Sequence, residues 1–298
     1  MSKLVECVPN FSEGRNPEVI QKIVAPFIAT EGVKLLDYCP DKDHNRVVVT
    51  VMGEPESVKC AMLEAVGIAI ANIDMTRHHG QHPRMGAVDV VPFIPVKNYT
   101  MEEAVSLARE TALQMAEKYG LPVFLYEKAA TAPARENLAN IRKGEFEGLW
   151  EKLLQPEWKP DFGPAAPHPT AGAAVVGVRM PLVAFNINLG TANTEIAHKI
   201  AKCIRHLSGG LRYVKAMGVD LKEKGMVQVS INMTDFTRTS LYRVMEMVRF
   251  EAKRYGVPVV GSEIIGLTPM EALIDAAAYY MQLEDFSMKQ VLEYRMLE

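Results

Sequence analysis

The chain has 298 residues, of which 48% are hydrophobic and 23% charged, and its formal net charge is −3. This is the make-up of a globular protein of two domains, or one large one, with enough chain to bury a core without staples. It excludes a disordered or collagen-like chain, and it offers no basic surface for nucleic acid or anionic lipid.

The first residues, Met1–Gly14, contain no apolar leader, and no apolar run nears the ~18 residues of a membrane span. Lys3–Val8 reads as a strand. Asn16-Pro17 supplies an N-cap and an N1 proline for a helix running to about Thr30. Val33–Tyr38 and Arg46–Met52 are β-branched strands on either side of a polar turn. Glu56–Ile73 has helical periodicity, is mostly apolar, and is expected to be buried. Ala87–Val96 returns to strand. Met101–Tyr119 is the clearest amphipathic helix, closed by Gly120 and Pro122, and Val123–Tyr126 follows as a strand. In the second half, Leu182–Leu189, Arg212–Val219, Met226–Met233 and Val257–Ile265 read as strands. Thr194–Leu207 and Ser240–Tyr255 read as helices, in the order βαββαβ, and Met270–Gln282 as a terminal helix.

Two junctions echo each other, Tyr119-Gly-Leu-Pro-Val123 and Tyr255-Gly-Val-Pro-Val259. They suggest a duplicated architecture, with residues 57–97 as an extra piece of the first half. Between the halves, Trp150–Ala171 holds Pro156, Pro160, Pro164, Pro167 and Pro169, which forbid helix and central strand. It reads either as a domain linker or as an ordered binding loop. The expected domains are residues 1–180 and 181–298.

The densest polar cluster is Thr76–Asp89, with His78, His79 and His82 beside Arg77, Arg84 and Asp89. His78 and His82 have the i, i+4 spacing of a metal pair. Gly80 and Pro83 break the helix such a pair needs, and no nearby Glu or Cys completes a ligand set, so no metal is expected. General acid–base chemistry fits better, because histidine titrates near neutrality. Arg77 and Arg84 suit a substrate carboxylate, and Asn45-Arg46 follows an Asp-rich turn, Asp41–His44, that lacks the length and glycine of a calcium loop. The alternative for each arginine is to brace loops against Asp43, Asp74 or Asp89. Cys7, Cys39, Cys60 and Cys203 lie far apart with no CxxC, which fits a reducing, cytoplasmic setting. No GxGxxG, P-loop or GxSxG occurs.

At these residues the chain resembles the formiminotransferase domain, the N-terminal half of formiminotransferase-cyclodeaminase and its stand-alone relatives. The markers are Leu4–Gly14, Asn45-Arg46, Ile73–His78, His82–Asp89 with Pro92-Phe-Ile-Pro95, Pro160–Pro164, Ala184–Leu189 and Pro258–Ser262. The resemblance implies an α/β (α+β) fold of two ferredoxin-like βαββαβ-type subdomains, with helices packed on one face of each sheet. It also implies a homodimer, with folate held in the cleft between subdomains. The implied reaction belongs to one-carbon metabolism and histidine degradation. The formimino group of N-formimino-L-glutamate passes to N5 of tetrahydrofolate, a co-substrate, with a separate cyclodeaminase as a further partner. The implied catalytic residue is His82. The implied folate-binding loop is Gly163, Pro164, Ala165, Ala166, Pro167, His168, Pro169, Thr170, Ala171 and Gly172. Arg84, Arg46 and Asn45 join it as expected substrate contacts. Relatives commonly carry an acidic residue two positions after Asp37, where this chain has Cys39; Asp41 and Asp43 lie nearby, and the sequence leaves open whether either takes its place beside His82. Formyl transfer from another donor, or folate binding without catalysis, are the competing readings.

Overall fold

A computed structural model describes residues 2–297. The chain divides into two compact units after Arg179.

In the first unit, β1 (Leu4–Cys7) and β2 (Asn10–Phe11) form one strand interrupted near Pro9. Helix α1 (Pro17–Ala29) starts where the Asn16 side chain accepts from the N–H of Glu18 and Val19. Strands β3 (Val33–Asp41) and β4 (Arg46–Gly53) make a hairpin, α2 (Pro55–Asn72) crosses over, and β5 (Val88–Lys97) returns. Strand β4 pairs antiparallel with β1, β2 and β3, and β5 pairs antiparallel with β1 and β2. The order β3-β4-β1/β2-β5 is that of a ferredoxin-like βαββαβ unit.

The unit then continues. Helix α3 (Met101–Tyr119) has a Thr100–Glu103 capping box at its start. Gly120, at φ +65°, ends it in the left-handed region that glycine adopts without strain. Strand β6 (Val123–Glu127) follows, then short helices α4 (Pro133–Glu136), α5 (Leu138–Arg142) and α6 (Leu149–Lys152), and β7 (Ala174–Val178). Strand β7 inserts parallel between β5 and β6 and is buried along its length. The sheet thus has seven strands, with α1–α3 packed in a row on one face. Val47, Val49 and Val51 of β4 are fully buried in the core with these helices. By strand alternation Arg46 points to the opposite face.

In the second unit, β8 (Val183–Leu189), α7 (Thr194–Ile204), β9 (Val214–Leu221), β10 (Met226–Met233), α8 (Leu241–Arg254) and β11 (Val259–Ile265) form a second βαββαβ unit. Its four-stranded sheet, in the order β11-β8-β10-β9, is antiparallel throughout. Helices α9 (Met270–Met281) and α10 (Leu292–Leu297) follow. The fold class is as expected from the sequence. Among the described residues no helix is long and apolar enough to cross a membrane.

Two expectations need correction. Residues 57–97 are not an insertion, because α2 and β5 complete the ferredoxin-like order; the added part of the first unit is α3 to β7. The Tyr-Gly-x-Pro-Val echo therefore joins elements that are not equivalent: β6 lies parallel to β7, whereas β11 lies antiparallel to β8. Of the two readings of Trp150–Ala171, an ordered loop and a linker between units, the linker does not hold. The stretch folds back on the first unit, and the strand that follows it inserts between β5 and the edge strand β6 of the seven-stranded sheet.

Candidate functional site

The histidine-rich segment joins α2 to β5 as a loop over residues 73–87. Two close approaches fix it. At Gly80, a Cβ would stand 2.2 Å from the His44 carbonyl oxygen; at Gly86, one would stand 2.3 Å from that of Ala173. The loop is therefore pressed on one side against the β3–β4 turn and on the other against the chain entering β7.

On the turn side, Asn45 is the hub, with φ +50°. Its Oδ1 accepts from the Gly14 N–H at 3.0 Å, its Nδ2 donates to the His79 carbonyl at 3.0 Å, and its own carbonyl accepts from His78 Nε2 at 2.8 Å. Both ends of this side chain hold protein groups, so Asn45 shapes the site. Asn45, expected from the sequence as a substrate contact, here ties the β3–β4 turn to the histidine loop. On the other side, the Met75 N–H donates to the Thr170 carbonyl and that of Ala87 to the Ala171 carbonyl. The proline-rich loop thus lies against the histidine loop. Its ends are anchored by glycines in the left-handed region, Gly163 at φ +86° and Gly172 at φ +71°. A Cβ at Gly172 would meet the Met85 carbonyl at 2.2 Å. A short hairpin pairs His168 with Gly172, and His168 Nδ1 accepts from the Ala171 N–H at 3.0 Å. Residues 163–166 are exposed, and 171–172 are buried.

His82 is 6% exposed at the meeting of these segments. Its Nε2 lies 3.1 Å from Asp89 Oδ2. A carboxylate accepts, so Nε2 carries the proton and Nδ1 holds the lone pair. Nδ1 faces Arg46 Nη1 at 3.4 Å. Asp89 is 1% exposed at the start of β5. Its Oδ1 accepts from the Met85 N–H at 3.0 Å, and its Oδ2 also accepts from Arg142 Nη2. Burial pushes the Asp89 carboxyl up, but Arg142, His82 and the Met85 amide together hold it below the usual carboxylate range. Burial pushes His82 below the usual histidine value; Asp89 pulls it back up, and Arg142 and Arg46 push it down. The net direction is downward, so the imidazole is a neutral base at pH 7.

The carboxylate supporting His82 is Asp89. Asp41 instead accepts from His44 Nδ1 at 2.7 Å, and the Cys39 thiol donates to Asp37. Asp89 had a legible signal, a lone charge within the apolar run Val88–Val91. Arg142 had none, because it lies 53 residues from Asp89 on a short helix with no periodicity.

Arg84 is 5% exposed, and each N–H of its fork is taken. Nε donates to His78 Nδ1; Nη1 donates to Glu145 and Glu147; Nη2 donates to Glu147 and the His78 carbonyl. The carboxylates Arg84 holds are the protein's own, contrary to the sequence expectation of a substrate contact. Both ring nitrogens of His78 are likewise engaged, Nε2 with the Asn45 carbonyl and Nδ1 with Arg84 Nε. Replacing Arg84 by Met should lower unfolding free energy by about 1–3 kcal/mol, because partners on three residues lose their donor. The check is denaturant unfolding beside KM for each substrate. A raised KM at unchanged stability would return Arg84 to substrate binding.

Two family models match the chain. One, described as formiminotransferase domain, N-terminal subdomain, matches residues 4–179; the other, described as formiminotransferase domain, matches residues 184–295. The chain is 54% identical to a glutamate formimidoyltransferase of Streptococcus pyogenes serotype M1 over the full length of both. It is 46% identical to a glutamate formimidoyltransferase of Thermoplasma acidophilum over 98% of this chain and 97% of that one. It is 48% identical to a formimidoyltransferase-cyclodeaminase of Sus scrofa over 97% of this chain and 54% of that one.

Proposed function

The chain belongs to the formiminotransferase domain family, and from that premise we propose how its residues carry the reaction. It transfers the formimino group of N-formimino-L-glutamate to N5 of tetrahydrofolate, giving 5-formimidoyltetrahydrofolate and glutamate. N5 attacks the amidine carbon and forms a tetrahedral adduct. The N5 proton must leave, and the departing glutamate nitrogen must gain one. A single base serves both steps if it is neutral at the start and returns the proton at the end. His82 has that form: Nε2–H is held on Asp89, and Nδ1 keeps its lone pair. Asp89 orients the ring and stabilises the imidazolium while it exists. This pairing is the observation that carries the reading.

Arg46 is the arginine suited to a substrate carboxylate. Among the described residues, the one hydrogen-bond contact of its side chain is the long 3.4 Å approach to His82, and its buried Nε has no partner. A planar fork meets a carboxylate with two parallel bonds, whereas lysine keeps only the charge. Arg46→Lys should therefore raise KM for one substrate by roughly 10–150-fold, the equivalent of about 1.5–3 kcal/mol. A lowered melting temperature with normal KM would make Arg46 a brace instead.

Residues 163–172 are the proposed folate contact, supported by their docking on the histidine loop through Met75, Gly86 and Ala87. Hydrogen exchange with and without a folate analogue should show protection there; protection elsewhere alone would remove the loop from the site. The same reading includes a cytoplasmic homodimer whose product passes to a cyclodeaminase on a separate chain, and sedimentation tests the dimer. The activity itself is tested by incubating the protein with tetrahydrofolate and N-formimino-L-glutamate, then reading folate absorbance after acid conversion to the methenyl form.

A further inference from the structure

Lys152 ends α6 and is 7% exposed. None of the ion pairs among the described residues includes it. Its ammonium donates instead to three backbone carbonyls, those of Asn140 at 2.9 Å, Ile141, and Lys143 at 3.0 Å. The ring of Trp158 lies 4.1 Å from the ammonium. An apolar side chain would fill this space without the cost of burying a charge. The charge is used on one stretch of backbone, the C-terminal turn of α5, whose last carbonyls lack intrahelical partners.

The residue between those carbonyls is Arg142, whose guanidinium meets Asp89. Two residues beyond Lys143, Glu145 takes the fork of Arg84. The turn under Lys152 therefore backs the histidine loop at two points. Arginine has a long, mobile side chain, and its aim depends on where its own backbone sits. We propose that Lys152 is a positioning residue for the transfer: its ammonium fixes the α5 turn so that Arg142 meets Asp89 and the Asp89–His82 pair keeps its geometry. The proposal rests on His82 as the base.

The charged groups facing His82 are Asp89 from β5, Arg142 from α5 and Arg46 from β4. Arg142 opposes protonation of His82, and Asp89 favours it. If Arg142 swings away, only burial and Arg46 oppose Asp89, and the ring protonates at higher pH. The test is the acid limb of kcat/KM in the wild type, Arg142→Met, Lys152→Met and the double variant. Arg142→Met should move the limb up by about one unit, which is about a tenfold loss of kcat/KM well below it. Lys152→Met should move it in the same direction with KM little changed. On the Arg142→Met background it should add nothing further, because it acts through that residue.

A lowered melting temperature with an unmoved limb would overturn the proposal, as would a shift additive to that of Arg142→Met. Lys152→Gln, which keeps two N–H donors without the charge, is read in the same way. If neither Lys152 variant folds, Lys152 belongs to the folding core and the proposal fails. His82→Ala separates the two levels. If it retains turnover, the base assignment is wrong. If it loses turnover while the Lys152 variants leave the limb in place, only the positioning role falls.

Discussion

His82→Ala should retain the fold and lose turnover by about 10²–10⁴-fold, the usual range for a missing acid–base group. The fold should survive because His82 is not the only partner of Asp89. With the imidazole gone, Asp89 still holds Arg142 and the Met85 N–H, so no buried carboxylate is left unpaired. Turnover should fall because, among the described residues, no other histidine is held on Asp89. His78 has both ring nitrogens engaged, and the exposed His79 makes no contact with Asp89. The wild-type pH profile adds a second signature. Folded His82 protonates below the usual histidine value, so activity should persist through pH 6.5 and fall only as pH drops through the lower folded pKa. The residual activity of His82→Ala should lack that limb. A variant with near-normal kcat, or one that keeps the limb, would exclude His82 as the base.

The sequence showed the element order well where one face of an element meets water. Met101–Tyr119 and the whole βαββαβ order of the second unit were legible because apolar and polar positions alternate at the period of the element. Strand β7 was not. Its five residues are all buried, so no alternation marks them, and they follow a proline-rich stretch that reads as irregular. Missing β7 is what kept the linker reading open beside that of an ordered loop. The site divides in the same way. His82 stood out because its cluster is local in sequence. The split of arginine roles did not, because Arg46 and Arg84 are alike as letters. What distinguishes them is distance in space: Glu145 and Glu147, more than 60 residues on, fold back to occupy Arg84, and among the described residues no carboxylate does so for Arg46. Cys39 drew attention to a missing carboxylate, while the one that matters begins a strand seven residues after the histidine.

Asp89→Asn should cost about as much turnover as His82→Ala, by another route. The asparagine has one acceptor oxygen in place of two and adds an amide donor. It cannot accept from Met85 N–H, Arg142 and His82 Nε2–H together. If its amide faces the imidazole, Nε2 must become the acceptor, and the ring proton moves to Nδ1. The atom that should take the N5 proton then carries one already. A fall in kcat of about 10²–10⁴-fold is expected. Stability should fall too, by about 3–5 kcal/mol, because Arg142 loses its buried counter-charge. These two losses are separable. Adding Arg142→Met to Asp89→Asn removes the uncompensated charge, so the melting temperature should recover much of its drop. The kcat should not recover, because the tautomer is still wrong. The remaining activity should also tolerate lower pH than wild type. Without Asp89, burial and Arg46 act on His82 with no carboxylate pulling its pKa up. Recovery of kcat together with stability in the double variant would show that Asp89 supports only the fold, and His82 would then need another explanation for its orientation.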